Sequence, residues 1–489
     1  MNHSSGLQVA ARRAMAINGF EAEFPPEVLA EATAAAPPTL PASDVQDLRG
    51  LPWSSIDNDS SRDLDQLEVA ELLANDEIRV SVAIADVSAT VVRDSATDRH
   101  AALNATSVYT GITTFPMLPE RLSTDLTSLG QGADRAAVVI EFIVKADGAI
   151  GARNVYLAFV HNRAKLAYGT VGAFLTSAGA LPPVADAIIQ AQLHVQDTAA
   201  DRLRAERTRR GALSFETIEA QGVVREDGSV NIELVQKTEA SHLIEDFMVA
   251  ANIVMAEFLD EKRVASIRRV VRTPERWNRI VALAIAAGDS LPDAPDAPAL
   301  AGFLARRQKV DPTGYADLSL SIVKLLGPGQ YEVHQPGAPE TGHFGLATQY
   351  YTHSTAPNRR FVDLVTQRIL KAALRGDAPP YSDEQLAQIA AHSTERENAA
   401  RKVERLVRKE TAATSMVPHI GETFDAVVTG VTPQGTYVRV VKPPVEGRVM
   451  HGEAGMDVGD KVRVKLLSTD PARGFIDFAG VAGASSGHA

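Results

Sequence analysis

The sequence predicts an α+β multidomain chain: a short helical N-terminal segment, a large mixed α/β body and a small β-barrel at the end. Three observations lead there. At about 150 residues per domain, 489 residues favour roughly three domains. A hydrophobic fraction of 45% is ample to fill such cores and excludes a disordered chain. Runs of β-branched residues alternate with helical periodicity through the middle of the chain, then short strands stand alone after Pro418.

The elements follow in order. Residues up to about 36 read as short Ala-rich helices, and Pro37 to Pro41 as a linker. Ile78 to Ala85 and Ala136 to Val144 carry the β-branched runs of strands. Residues 240–263 switch to helical spacing, with Leu243, Phe247, Ile253, Val254, Phe258 and Leu259 as the apolar stripe. Leu291 to Pro298, rich in Pro and Asp, reads as a surface loop. Helices are expected at about 357–375 and 383–413. Strands at 423–431, 435–441, 461–468 and 474–478 suit a small barrel of the OB type. The expected boundaries are 1–45 for the helical segment, 46–418 for the body, 419–480 for the barrel and 481–489 for a flexible tail.

Composition narrows the chemistry. The 49 basic and 61 acidic residues leave a formal charge of -12, which by itself argues against a nucleic-acid binder. Net charge is silent about local patches, however. The absence of cysteine excludes disulfide frameworks, thiol nucleophiles and cysteine zinc sites. The N-terminus lacks the apolar core of a secretory signal, and no apolar run approaches the ~20 residues that span a bilayer, so a cytoplasmic protein is expected.

The most informative segment is Ser55 to Gln66, where Asp57, Asp59, Asp63 and Asp65 lie within nine positions. Such carboxylates either repel one another into solvent or share a cation. An acidic surface turn is the plain alternative, but an apolar run before the cluster and strands after it suggest a pinned loop. Asp57, Asp59, Ser61, Asp63, Asp65 and Glu68 also match the ligand spacing of an EF-hand. Arg62 stands where that loop needs Gly, and the flanks are strand-like rather than helical, so the match reads as coincidence. The other reading is a magnesium site for phosphoryl chemistry, with Asp63 and Asp65 on one side of an extended backbone and Asp57 folding back.

Beyond this cluster the sequence resembles the ribonuclease II/ribonuclease R (RNB) family of 3′→5′ exoribonucleases. The blocks SSIDNDSSRDLDQLEVA, VSVAIADVS, TSVYTGITTFPMLPERLSTDLTSL, HLIEDFMVAANIVMAEFL and HFGLATQYYTHSTAPNRRFVDLVTQRIL occur in the family order across most of residues 50–410. The resemblance implies Asp57, Asp63 and Asp65 as ligands of one or two Mg²⁺ ions. Gln66 stands where a fourth aspartate is usual, which removes one negative charge. Arg359 matches the arginine that contacts the scissile phosphate, and Thr355 and Pro357 read as the start of a helix whose N–H groups favour a phosphate. Arg360 is expected to face RNA or solvent.

Tyr109 and Phe215 resemble the aromatic pair that sandwiches the last bases of the 3′ end, although for an isolated aromatic a core role is commoner. Glu245 and Glu404 match acids near the terminal nucleotide, where a carboxylate can accept a bond from a ribose 2′-OH. His242, His343 and His353 lack metal-ligand spacing. Residues 421–478 resemble the OB-fold repeat of the largest small-subunit ribosomal protein, with Phe424, Tyr437 and His451 as candidate RNA-facing groups.

The front end differs from the bacterial pattern: some 50 residues replace the cold-shock domains, leaving a helical, helix-turn-helix-like lead-in. The implied protein is a monomeric, Mg²⁺-dependent exoribonuclease that threads single-stranded RNA and releases nucleoside 5′-monophosphates. The rival is a catalytically impaired RNA-binding regulator that keeps the channel. Neither needs a membrane or a protein partner.

Overall fold

The computed structural model describes residues 3–38, 44–177, 179–216, 219–224, 230–235, 237–311 and 314–481. Most of the expected Pro linker and almost all of the expected tail lie outside them. The chain opens with α1 (His3–Ile17) and α2 (Pro26–Ala34), then β1 (Val45–Asp47), β2 (Ser54–Asp57), β3 (Gln66–Leu72) and β4 (Ile78–Ala85). Helix α3 (Ala96–Asn104) precedes the short hairpin of β5 (Val108–Tyr109) and β6 (Thr114–Phe115). The long strands β7 (Asp134–Val144) and β8 (Ile150–His161) and the shorter β9 (Ala164–Ala167) follow. Next come α4 (Tyr168–Thr176), α5 (Ala187–Arg209), the hairpin β10 (Glu219–Val224) with β11 (Val230–Val235), and α6 (Glu239–Glu261). A second region holds β12 (Ser266–Val270), α7 (Trp277–Ala286), α8 (Ala297–Val310), α9 (Tyr315–Leu326) and β13 (Gln330–His334). It leads to α10 (Phe361–Arg375) and the long α11 (Asp383–Met416). The chain ends in β14 (Thr423–Thr432), β15 (Gly435–Val440), β16 (Glu446–His451), β17 (Lys461–Asp470) and β18 (Phe475–Gly480).

The body is built on a seven-stranded mixed sheet in the order β1-β8-β7-β4-β3-β2-β9. Its central strand β4 buries Val80, Val82, Ala83, Ile84 and Ala85 together. A continuous apolar run of this kind suits a strand covered on both faces rather than an alternating, half-wet one. Helix α6 carries the predicted stripe except for Ile253, which is only partly buried: Leu243, Phe247, Val254, Phe258 and Leu259 are buried in the same core as the sheet. Its start is fixed by a reciprocal cap between Thr238 and Ser241. The EF-hand reading falls here, since the acidic loop runs between strands β2 and β3 and not between helices.

The N-terminal helix α1 buries Ala11, Ala14 and Met15, together with Phe20 beyond its end, against Ala399, Ala400, Val403 and Val407 of α11 and Val108 and Phe115 of the β5–β6 hairpin. The lead-in therefore braces the hairpin that carries Tyr109. At the other end β14-β15-β16-β18-β17 close into a barrel, with a parallel β16–β18 pairing among antiparallel ones. The strand β16 escapes the sequence pattern because Gly447 interrupts it. A Cβ at Gly447 would stand 2.5 Å from both the Ile476 carbonyl oxygen and the Phe478 ring, so closure of the barrel requires glycine there. The barrel is tied to the body by Arg439, whose Nη1 lies 2.8 Å from the Asp317 carboxylate of α9.

Candidate active site

Strands β2 and β3 share one antiparallel pair, Ser54 with Glu68, and then splay apart, whereas β3 and β4 stay paired from Gln66–Ile84 to Leu72–Ile78. The acidic loop fills the mouth of this wedge. Asp57 closes a tight turn, with its Oδ1 accepting the Asn58 N–H at 2.6 Å and the Ser61 hydroxyl at 3.0 Å. The far side is pinned by Ser128, whose hydroxyl accepts the Leu64 N–H at 3.0 Å and donates to the Arg62 carbonyl at 2.7 Å. Leu64 is buried beneath, so the loop is anchored through its apolar residue.

Asp65 is 4% exposed. Its Oδ1 accepts the Asn358 N–H at 3.1 Å, and its Oδ2 lies 3.6 Å from Arg359 Nε. Burial pushes the Asp65 carboxyl up to about 7 against the opposing pull of Arg359 and the Asn358 bond, with the charge of Asp63 adding to the rise. Asp57 is raised for the same first reason, burial, and it too feels Asp63 and Arg359. The structure thus gathers Asp57, Asp63, Asp65 and Arg359 into one electrostatic unit. Carboxylates crowded and desolvated in this way favour a bound cation. Gln66 starts β3 and is buried.

Arg359 is held by its backbone, whose carbonyl accepts the Ser107 N–H at 2.9 Å, while its side chain stays 45% exposed. The helix expected from Thr355 begins at Phe361 instead. The cause is Asp363, fully buried, which takes the Ala356 N–H at 2.8 Å and pairs with both Nε and Nη2 of Arg360 at 2.8 Å. Residues 355–360 therefore wrap as a turn, and the N–H aimed into the site is that of Asn358 rather than a helix terminus. Arg360 is also corrected: it faces inward as the counterion of Asp363 and not toward RNA or solvent.

Tyr109 stands beside this unit. Its N–H donates to Glu404 Oε1 at 3.3 Å, which brings two predicted residues together across 295 positions of sequence. The ring is 42% exposed, and the desolvated hydroxyl lies in the fields of Arg359, Asp63 and Asp65. Burial raises the Glu404 carboxyl, partly offset by the Tyr109 N–H. Phe215 is partly buried against Trp277, Phe303 and Tyr315, and the structure gives it no contact with Tyr109. Glu245 is exposed and accepts a bond from Lys237 Nζ at 2.9 Å; burial would raise its carboxyl, but Lys237 holds it below the usual value. In the barrel Tyr437 and His451 are exposed, while Phe424 packs against the barrel core.

Two other groups matter for chemistry. Asp260, His334 and Glu340 come together, but Arg268 Nη2 already sits 3.2 Å from Glu340 Oε1 and takes the role of cation there. His343 is a structural residue: its Nδ1 accepts the Leu346 N–H at 3.2 Å, and burial, with the charge of Arg269, depresses it to about 4. A depressed base binds fewer protons folded than unfolded, so its contribution is present above its unfolded value near 6.5 and is lost as pH falls toward 4. The variant His343→Asn keeps an acceptor for that N–H without the titration. Its melting temperature should fall less than that of the parent between pH 6.5 and 4.5, as checked by calorimetry.

Sequence reasoning missed Asn358 and met Glu68 only as the last position of the EF-hand match it set aside. Asn358 acts through its backbone, which leaves no mark in sequence. Glu68 did leave one, as an acid in the otherwise apolar run Leu67 to Ala70.

Comparison with known proteins places the chain in a family. Residues 45–376 match the RNB domain, and residues 422–481 match the RNase II-type exonuclease C-terminal S1 domain. Ribonuclease R of Thermotoga maritima is 31% identical over 93% of this chain and 68% of its own length. Ribonuclease R 1 of Lactococcus lactis is 29% identical over 93% of this chain, which spans 59% of that relative. Among solved structures, Mycoplasma genitalium RNase R in complex with ribose-methylated single-stranded RNA superposes with a TM-score of 0.87 at 23% identity, covering 97% of this chain and 78% of that one. The chain belongs to the RNB family, with a ribonuclease II-type S1 domain as its C-terminal barrel.

Proposed function

We propose that this protein is a 3′→5′ exoribonuclease that hydrolyses single-stranded RNA processively to nucleoside 5′-monophosphates with Mg²⁺. The observation that carries the reading is the convergence of Asp57, Asp63, Asp65 and Arg359 at the mouth of the β2–β3 wedge, beside an open aromatic ring. Asp57, Asp63 and Asp65 offer the hard oxygen donors that Mg²⁺ prefers, and buried carboxylate oxygens without partners lie behind them on Glu68. Asp57, Asp63 and Asp65 would hold one ion, and a second would depend on what replaces the charge missing at Gln66. A bound Mg²⁺ acidifies water and neutralises phosphate charge.

The chain's own residues do the remaining work. Arg359 presents a rigid fork to the scissile phosphate, fixed by Asp65 on one side and by its backbone on the other. Tyr109 gives the terminal base a stacking face, and Phe215 serves RNA on the same strand path. Glu404 and Glu245 accept bonds from ribose hydroxyls, which separates RNA from DNA. Tyr437 on the barrel meets RNA before it enters. Residues 1–45 form the helical lead-in, 46–418 the catalytic domain and 419–480 the RNA-binding barrel, followed by a tail. The protein works as a cytoplasmic monomer; among the described residues no helix is long and apolar enough to cross a membrane.

The test is the product spectrum from a uniformly labelled single strand. Nucleoside 5′-monophosphates from the earliest time points support the proposal, and internal fragments contradict it. Tyr109→Ala should weaken binding of a short single strand by about 1–3 kcal/mol, measured by fluorescence anisotropy in EDTA. Gln66 favours one rival, an RNA-binding regulator that has lost hydrolysis; it predicts tight binding and no product at all.

A further inference from the structure

Glu68 is 0% exposed, and neither carboxylate oxygen has a hydrogen-bond partner. It sits at the floor of the wedge, opposite Ser54, whose hydroxyl is also buried without a partner. Uncompensated burial of a carboxyl is among the most costly arrangements a core can hold, so it persists where something compensates it. Glu68 lies in the field of Asp57, and the Tyr168 hydroxyl feels Asp57 and Glu68 together, so the buried acid stands near the proposed cation cluster. Its place in the strand adds a second point. Glu68 lies two residues beyond Gln66 on β3, and residues two apart on a strand share a face. The family pattern expects a carboxylate at position 66, and here the amide stands there with an acid one step further along the same face.

We propose that Glu68 supplies the fourth carboxylate of the cation site, shifted two residues along β3 from the position occupied by Gln66. The inference rests on the metal-dependent reading above. On this account Gln66 contributes at most a neutral carbonyl oxygen, and Glu68 and Asp57 together restore the charge that a second divalent ion needs. Ser54 lies within the same polar floor.

The test is cation binding by the full chain, followed with Mn²⁺ by isothermal titration and by the rise in melting temperature that Mn²⁺ produces. Glu68→Gln is close to isosteric and removes the charge. It should weaken Mn²⁺ binding by at least about tenfold and shrink the Mn²⁺-induced stabilisation, while melting in EDTA stays at or above that of the parent. Adding Gln66→Asp to Glu68→Gln should return most of the lost affinity, because the charge is then back on the same strand face. Unchanged Mn²⁺ affinity in Glu68→Gln, with a parent that binds Mn²⁺, overturns the role of Glu68 alone. Weakened binding that Gln66→Asp does not rescue overturns the shifted-ligand account and leaves Glu68 as a packing residue. A parent that binds no Mn²⁺ overturns the metal reading itself.

Discussion

Asp65→Asn is expected to abolish RNA hydrolysis, a loss beyond roughly 10³-fold, while the affinity for single-stranded RNA stays close to that of the parent. Asp65 is the most buried of the three aspartates proposed as ligands and the one that joins both halves of the site. One oxygen accepts the Asn358 N–H and the other faces Arg359. An asparagine keeps an oxygen for the Asn358 N–H, so the turn at 355–360 stays folded. It removes the charge that a cation and the guanidinium share. On the proposed function, RNA binding is spread over the barrel and Tyr109 and does not depend on that charge. Single-turnover hydrolysis and anisotropy on the same preparation separate the two effects. Normal hydrolysis by this variant would show that the site has been assigned to the wrong residues.

Arg359→Ala ranks second, with an expected loss of about 10²–10³ in kcat. The 45% exposure of the side chain means that its removal leaves no cavity, although the buried Asp65 Oδ2 loses the guanidinium 3.6 Å away. The backbone bonds of residue 359 to Ser107 and Ala356 survive the change. Asp65 loses its nearest counterion, a loss that a bound Mg²⁺ would offset in part. Arg359→Lys should recover only a small part of the rate, since a point charge does not reproduce the two-pronged fork. Equal losses in KM and none in kcat would instead mark Arg359 as a simple binding residue.

Much of this was legible in the sequence where residue type alone carries the signal. The β-branched run from Ile78 to Ala85 became the central strand with the predicted limits, since a strand covered on both faces is largely apolar, here broken only by Arg79 and Ser81. The aspartates of the loop declared themselves because acids so closely spaced need a cation or solvent. The missing parts depend on partners distant in sequence. Thr355 and Pro357 have the composition of a helix start, yet Asp363 draws the Ala356 N–H to itself and delays the helix to Phe361. Arg360 looked like a surface group beside Arg359; the i,i+3 spacing to Asp363 was the available signal for its inward turn. Nothing in the residue Phe215 distinguishes a stacking ring from one packed on Trp277 and Tyr315. The -12 net charge points away from nucleic acid, but a sum over the whole chain does not show that part of the acidity is gathered at one wedge, where carboxylates would face a cation.

The measurement that tests the central claim most directly is a time course with a 5′-labelled single-stranded RNA and the full chain in Mg²⁺, in Ca²⁺ and in EDTA. The account predicts progressive shortening from the 3′ end in Mg²⁺ and intact RNA in EDTA. RNA that is bound yet remains full length in Mg²⁺ would contradict it.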